Sequence, residues 1–385
     1  MKIIKAGFIG AGFVGPVHME NIRRLGFVEV AAVAGRNQER ADEAAKGLGI
    51  PKAYGDWKDL IADPEVDVVH ITAPNEIHFP AAKAALEAGK HVICEKPLTL
   101  DLEESRKLVE LAKKTNLVNS VSFNMAFYPM IRQAREMITR GELGKIFLIH
   151  GRYLQDWLSR DSDYNWRVEA KYSGKSRVVA DIGSHWMHMV QMISGKKIES
   201  VYADTTIFIP VRKKPPKGIP TQTEVELKKG EYTEIDVDTE DHATIMFRFE
   251  DGVKGVLIAA QVCPGRKQFI EWEVNGSEKS MSWNGQRPNV LWIGNRSANN
   301  EIFIKDANIL DEKVKKYAPY PVGLVEGYPD SWKNIFSAIY EHISNIDSGI
   351  DVIPEYPTFE DGYKIQLLIE AVLESAEKNK WVDIL

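Results

Sequence analysis

The chain has 385 residues, 44% of them hydrophobic and 27% charged, with a formal net charge of −6. That length makes two domains the default, and the acidic balance leaves no basic face for a nucleic acid. No apolar run approaches the ~20 residues a membrane span needs, and two distant cysteines, Cys94 and Cys263, make neither a disulfide framework nor a metal pattern.

The chain opens on Met1-Lys2-Ile3-Ile4-Lys5, which leads directly into a strand with no secretion signal, so a reduced, cytoplasmic protein is expected. The strand at 5–9 meets Gly10-Ala11-Gly12-Phe13-Val14-Gly15, and a helix follows to about Leu25. A second strand, 28–33, ends at Ala34-Gly35-Arg36 before a helix at 39–48. The strand 66–72 ends at Ala73-Pro74-Asn75, and the helix 79–88 stops at Gly89. The strand 91–94 runs into Glu95-Lys96-Pro97, and a helix at 102–115 and a strand at 118–123 complete the set. Apolar strands alternating with amphipathic helices predict a doubly wound parallel sheet over residues 1–124.

Past residue 124 the period changes. A helix at 128–139 precedes longer strands at 145–153, 199–209, 243–248, 255–261, 268–275 and 280–284. Their alternation of apolar and polar residues predicts a large, open, mostly antiparallel sheet with one covered face. Two helices, 330–345 and 358–379, close this second α/β domain, 125–385. The stretch 210–239, rich in Pro, Lys and Glu, reads as an excursion from the sheet. Its basic run, Arg212-Lys213-Lys214-Pro215-Pro216-Lys217, reads as a solvated loop.

The glycine turn follows a strand and opens a helix. Gly10 makes the tight turn, Gly12 lets backbone approach a pyrophosphate, and Gly15 lets helix and strand pack closely. The helix N-terminus then offers N–H groups and partial positive charge to the phosphates. An acid about 20 positions on would grip a ribose 2′-hydroxyl. Gly35 stands there instead, with Arg36 beside it to accept a 2′-phosphate. This favours NADP over NAD; stacking of Arg36 on adenine would leave NAD open.

Val92-Ile93-Cys94 is a buried strand that ends in a charged pair and a proline. Ligands in doubly wound sheets sit beyond the carboxyl ends of the strands. Lys96 therefore points toward the cofactor crevice, where it can hydrogen-bond a substrate hydroxyl and stabilise an alkoxide. Pro97 pins the direction, a cis peptide being one way to do so. A surface lysine capping a strand is the alternative. Asp181 and His185 stand four apart on a predicted helix ending near Ser194-Gly195, so both can face one side. His185 can accept a proton near neutral pH, and a carboxylate one turn away can orient it. Two other readings stand beside this one: an N-cap aspartate with a packing histidine, and a zinc site of Asp181, His185 and His188. No fourth ligand motif accompanies the latter, and no metal is expected.

In order and spacing, Gly10-x-Gly12-x-x-Gly15, Glu95-Lys96-Pro97 and Asp181-x-x-x-His185 resemble the Gfo/Idh/MocA oxidoreductase family over nearly the whole chain. The resemblance implies a Rossmann domain joined to an α/β domain for substrate binding and oligomerisation, whose open sheet commonly mediates dimers or tetramers. It implies Lys96, Asp181 and His185 as the catalytic set. The cofactor would be held by Gly10, Gly12, Phe13, Val14, Gly15, Gly35 and Arg36, with Ala73, Pro74, Asn75, His78, Glu95, Lys96 and Asn124 lining nicotinamide and ribose.

Tyr153-Leu154-Gln155-Asp156-Trp157, with Asn165-Trp166-Arg167, resembles the sugar-oxidising members of that family. Aromatic faces and paired polar groups suit a pyranose ring; tryptophans packing a sheet edge are the plainer account of the same residues. Tyr328 and Arg266 complete the substrate candidates. The implied reaction is NAD(P)-dependent hydride transfer involving a secondary alcohol of a cyclic sugar, glycoside or inositol. A homodimer or homotetramer with no nucleic-acid or membrane partner is expected. A non-catalytic dinucleotide sensor and an NAD-dependent glycosidase of the same family are the alternatives; a sensor would need none of Lys96, Asp181 and His185.

Overall fold

Short runs of Val, Ile and Ala build the first sheet, because such residues suit strands buried on both faces. The computed structural model describes residues 3–216, 230–350 and 352–384; Lys217 and the 217–229 part of the excursion lie outside them. In chain order the first elements are β1 (Ile4–Ile9), α1 (Val14–Arg23), β2 (Val28–Ala34), α2 (Gln38–Leu48), β3 (Lys52–Tyr54), α3 (Trp57–Ala62), β4 (Val68–Ile71), α4 (His78–Glu87), β5 (His91–Cys94), α5 (Leu102–Lys114) and β6 (Asn119–Val121). The six strands pair in parallel in the order β3-β2-β1-β4-β5-β6. Asn37, Asp56 and Asp101 cap α2, α3 and α5 by accepting from backbone N–H groups. β3 and α3 were not anticipated: Lys52-Ala53-Tyr54 is half-buried throughout and carries no apolar run to announce a strand.

Two compact units emerge, Met1–Asn124 with Pro329–Gln366, and Met125–Tyr328 with Leu367–Leu385. A single division at 124/125 would assign 329–366 to the second unit. Its place in the first has a packing cause: Trp332 and Phe336 lie 4.5 and 4.8 Å from the His18 ring, and Tyr340 hydrogen-bonds His70.

The second unit opens with α6 (Pro129–Thr139), β7 (Ile146–Leu154), α7 (Ala170–Ser173), α8 (Ser184–Ser194) and β8 (Ile198–Thr206). A ribbon of β9 (Val211–Lys214) and β10 (Thr233–Asp236) precedes β11 (His242–Phe249), β12 (Lys254–Ala260), β13 (Phe269–Gly276), β14 (Lys279–Asn284), β15 (Val290–Asn295) and β16 (Glu301–Ile304). Then come α9 (Glu312–Lys315), α10 (Tyr328–Asp347), α11 (Phe359–Lys378) and β17 (Val382–Asp383). The nine-stranded sheet runs β16-β15-β14-β13-β7-β12-β11-β8-β17, and only its β7–β12 pair is parallel. Trp186 of α8 covers one face, stacked 5.8 Å from Phe247 and donating its indole N–H to Glu271 O at 3.0 Å. The opposite face carries Met246, Ile258, Leu148 and Ile302, each at least about a third exposed. Among the described residues no helix is long and apolar enough to cross a membrane.

The solvated-loop expectation for the basic run fails at Arg212, which lies in β9 fully buried. Its guanidinium donates to Arg160 O (2.7 Å), Leu158 O (2.8 Å), Asp163 O (2.9 Å) and Asp241 Oδ1 (3.0 Å). Charge in a sequence looks the same whether it meets water or a buried carboxylate, and here it meets the carboxylate.

Candidate active site

The strand order places the reversal of the first sheet between β1 and β4, where doubly wound sheets bind their ligands. Gly10 follows β1, Thr72 to Asn75 follow β4, Glu95 to Pro97 follow β5, and Asn124 follows β6. Gly10 has φ +98°, and a Cβ there would lie 2.9 Å from Thr72 O. A Cβ on Gly15 would lie 2.6 Å from Gly10 O, so any side chain would push α1 off the strand. Gly12 has nothing within 4 Å of its would-be Cβ, leaving room beside its backbone. α1 carries no acid in its first turn, so its positive end is uncompensated there. An open glycine backed by two closely packed ones, at the head of a helix, is the cradle a pyrophosphate requires.

Around the turn, Phe13 is exposed and Val14 half-buried. A Cβ on Gly35 would meet Ala41 N at 2.7 Å, so α2 itself excludes an acidic side chain at that position, and Arg36 beside it is exposed. The Lys96–Pro97 peptide is cis. His78, buried, places Nδ1 2.8 Å from Pro97 O and Nε2 3.1 Å from Ala73 O, tying together the turns after β5 and β4. Burial pushes its pKa down, outweighing the two carbonyls that favour the imidazolium. Asn75 is buried, and Asn124 donates to Ser331 Oγ at 2.9 Å. Glu95, also buried, accepts from His18 Nε2 at 3.1 Å.

In the second unit the helix that bears His185 begins with a π-helical turn, Val179–Gly183, which continues into α8. Such turns recur at functional sites. Glu240, buried, anchors its start by accepting from Arg177 N and Val179 N at 3.0 Å and from Ser176 Oγ at 2.6 Å. Asp181 sits within the turn instead of capping it. Its Oδ2 accepts from Gln261 Nε2 at 2.8 Å, and its Oδ1 lies 3.3 Å from Arg167 Nε. His185 follows one turn on, buried.

From Asp181 a chain of polar side chains extends along β7. Gln261 Nε2 also donates to Gln155 Oε1 at 3.0 Å, which accepts from Trp157 Nε1 at 2.6 Å as well. Gln155 Nε2 donates to Gln268 Oε1 at 2.6 Å, and the Tyr153 hydroxyl donates to the same oxygen at 2.7 Å. Burial pushes the Tyr153 hydroxyl pKa well up, so it stays a donor. Arg167 stacks over Trp166 at 4.4 Å. Tyr153, Gln155, Trp157, Trp166, Arg167 and Asp181 thus form one connected set. Tyr328 opens α10 partly exposed, and Arg266 lies 4.3 Å over the Phe269 ring. Trp157 also packs against the cluster of Leu158, Tyr164, Val168 and Val237, so it has a packing role besides its hydrogen bond. Among the described residues no group of three or more His, Cys, Asp or Glu could hold a metal ion.

Sequence reasoning missed Gln261 and Gln268. Gln261 does carry a signal: Leu257, Ala259 and Gln261 share one face, and all three are buried, so a polar residue stands at a core-facing position. Gln268 adopts φ +55°, which its side chain alone does not announce. Chemically, the set offers donors and acceptors beside aromatic faces, together with a carboxylate one helical turn from a buried histidine.

Residues 4–123 match a family model described as oxidoreductase family, NAD-binding Rossmann fold, and residues 131–282 match the GFO/IDH/MocA C-terminal domain. Levoglucosan dehydrogenase of Pseudarthrobacter phenanthrenivorans is 31% identical over 399 aligned positions, covering 100% of this chain and 99% of that protein. Myo-inositol 2-dehydrogenase of Thermotoga maritima is 26% identical over 99% of this chain and 98% of its own length. Among solved structures, levoglucosan dehydrogenase in complex with NADH and L-sorbose superposes with a TM-score of 0.88 at 30% identity, each chain covered to 100%. An inositol dehydrogenase homolog complexed with NAD+ from Azotobacter vinelandii gives a TM-score of 0.88 at 25% identity, covering 99% of this chain and 97% of its own.

Proposed function

The chain belongs to the Gfo/Idh/MocA oxidoreductase family, and from that premise we propose that it is an NAD(P)-dependent dehydrogenase of a secondary alcohol on a cyclic sugar, glycoside or inositol. The observation that carries this reading is the Asp181 carboxylate, gripped by Gln261 and Arg167 one turn from buried His185. His185 takes the hydroxyl proton, and Asp181 orients the ring and stabilises its charged form. Lys96, fixed at the end of β5, stabilises the alkoxide. A nicotinamide cofactor held at the Gly10–Gly15 turn would supply the hydride acceptor for oxidation of the carbinol and the hydride donor for reduction of the carbonyl. Gln155, Trp157, Trp166 and Arg167 orient the ring's remaining hydroxyls and C–H faces, with Tyr153 and Tyr328 beside them.

The finer cofactor reading is NADP over NAD. It rests on Gly35, where α2 leaves no room for an acid, and on exposed Arg36. Arg36→Ala should weaken NADP by about 1–3 kcal/mol, the worth of a charge-assisted contact, and NAD less. For the assembly, the uncovered face of the nine-stranded sheet supports a homodimer or homotetramer formed through Met246, Ile258 and Leu148. A division of labour in which residues from 125 onward bind substrate and assemble belongs to the same proposal. The unpaired Cys94 and Cys263 accord with a reducing cytoplasm. The test is a panel of sugars, glycosides and inositols with NAD and with NADP, followed by NAD(P)H absorbance. A protein that binds NADH yet turns over none of them would overturn the reading.

A further inference from the structure

Four buried titratable side chains form a line inside the first unit that the reaction as written does not use. Tyr340 OH lies 2.7 Å from His70 Nε2, His70 Nδ1 lies 3.1 Å from His18 Nδ1, and His18 Nε2 lies 3.1 Å from Glu95 Oε1. His18, His70 and Tyr340 are fully buried and Glu95 nearly so. We propose that Tyr340, His70 and His18 are positioning residues of the reaction: the chain they form fixes the Glu95 carboxylate, and through it the turn that presents Lys96. The proposal rests on the dehydrogenase reading.

Proton bookkeeping gives the chain a direction. A carboxylate only accepts, so His18 Nε2 carries a hydrogen. Burial pushes the His70 pKa well down, so His70 is neutral and donates from one nitrogen. With His18 neutral the chain reads Tyr340 O–H to His70 Nε2, His70 Nδ1–H to His18 Nδ1, and His18 Nε2–H to Glu95. Every ring nitrogen is bonded in this pattern.

The surroundings exclude other partners. His70 stacks on Phe8 of β1 at 4.4 Å and meets Phe336 at 5.4 Å, and His18 meets Trp332 and Phe336. The ionisable groups that act on Glu95 are His18 from α1, His78 from α4 and adjoining Lys96; Asp67 acts on Tyr340. Burial raises the Glu95 pKa, and the His18 hydrogen bond with these charges outweighs it, so the carboxyl titrates below its ordinary value. Breaking the chain at His70 or Tyr340 removes the partner that fixes the angle of the His18 ring, and with it the hold on Glu95.

The test uses the full chain as Tyr340→Phe, which removes one oxygen, and His70→Phe, which keeps the stack on Phe8. Both should bind NADH within about 3-fold of wild type, because the glycine turn does the holding. Their kcat should fall about 10-fold through misplacement of Lys96, with KM for the sugar within about 3-fold, because the groups that orient the ring are unchanged. Folded variants with wild-type kcat, or with kcat and KM changed alike, would overturn the proposal and leave the chain purely structural. If the variants fail to fold, 15N spectra of histidine-labelled wild type decide. A hydrogen-bonded His18–His70 nitrogen pair upholds the chain, and two rings with no bond between them overturn it. Wild type that turns over no sugar or inositol defeats the dehydrogenase reading instead, a result distinct from either.

Discussion

Arg212→Ala probes how the second unit holds the loop that carries Trp157 and Trp166. The guanidinium binds the carbonyls of Leu158, Arg160 and Asp163 and shares Asp241 with Arg177; both arginines and Asp241 are fully buried. Asp241 also accepts from Ile209 N at 2.9 Å. Deleting Arg212 leaves three carbonyls and one carboxylate oxygen short of donors where water does not reach. Removing one member of a buried ion pair costs about 3–5 kcal/mol. At about 2–4 °C per kcal/mol for a unit of this size, Tm should fall by about 6–20 °C. Lys213→Ala is the control: Lys213 pairs with Asp161 at 2.6 Å, but the two side chains are 29% and 52% exposed. Such pairs are worth about 0–1 kcal/mol. Calorimetry reads both variants, and proteolysis of 155–169 reports whether the loop loosens. If Arg212→Ala melts with Lys213→Ala, the buried-clamp reasoning is wrong and the basic run behaves as a solvated loop after all.

Lys96→Ala and His185→Ala should each lower kcat by about two to four orders of magnitude with NADH affinity little changed, and the double variant should lose far less than the product; steady-state kinetics beside fluorescence titration checks this. Gly12→Ala should leave Tm within about 1 °C, since its Cβ meets nothing, yet weaken NADH. Gly15→Ala should lower both Tm and affinity, since its Cβ meets Gly10 O. Burial raises the Glu169 carboxyl, but hydrogen bonds from Lys214, Tyr164 and Lys171 outweigh it and hold the pKa at about 2 against an ordinary 4.5. A depressed folded pKa stabilises above the unfolded value, so the advantage of wild type over Glu169→Gln should be full above pH 4.5 and vanish as pH falls toward 2; Tm of both against pH measures it.

What the sequence disclosed was local. The glycine turn lies within six residues between a strand and a helix, and the cis peptide adjoins the strand end that raised it. The alternating strands to 284 announced the second sheet, whereas Glu301–Ile304 and Val382–Asp383, at the sheet's two edges, have few core-facing positions to mark them. The helix at 328–347 was legible as a helix. Its place in the first unit was not, because that depends on Trp332, Phe336 and Tyr340 meeting His18 and His70, about 270 to 320 positions earlier.

The same distinction decides what was readable of the site. Asp181 and His185 share a helical stretch, so their spacing alone puts them on one side. The groups that aim them do not: Gln261 is 80 positions from Asp181, Gln268 is 113 from Gln155, and Glu240 is 63 from Arg177. Gln261 and Glu240 are polar residues at buried positions, Gln268 an exposed one, and burial demands a partner, because an unbonded polar group there costs about 1–3 kcal/mol. That demand is visible in the strand period before the partner is known. Gln261 follows Leu257 and Ala259 on the inward face, and Arg212 lies between exposed Val211 and half-exposed Lys213. In a strand, an inward-facing polar side chain is therefore a better pointer to orienting residues than charge or composition. Applied to β4, the rule picks out His70, buried among Val68, Val69 and Ile71, and with it the line that leads to Glu95.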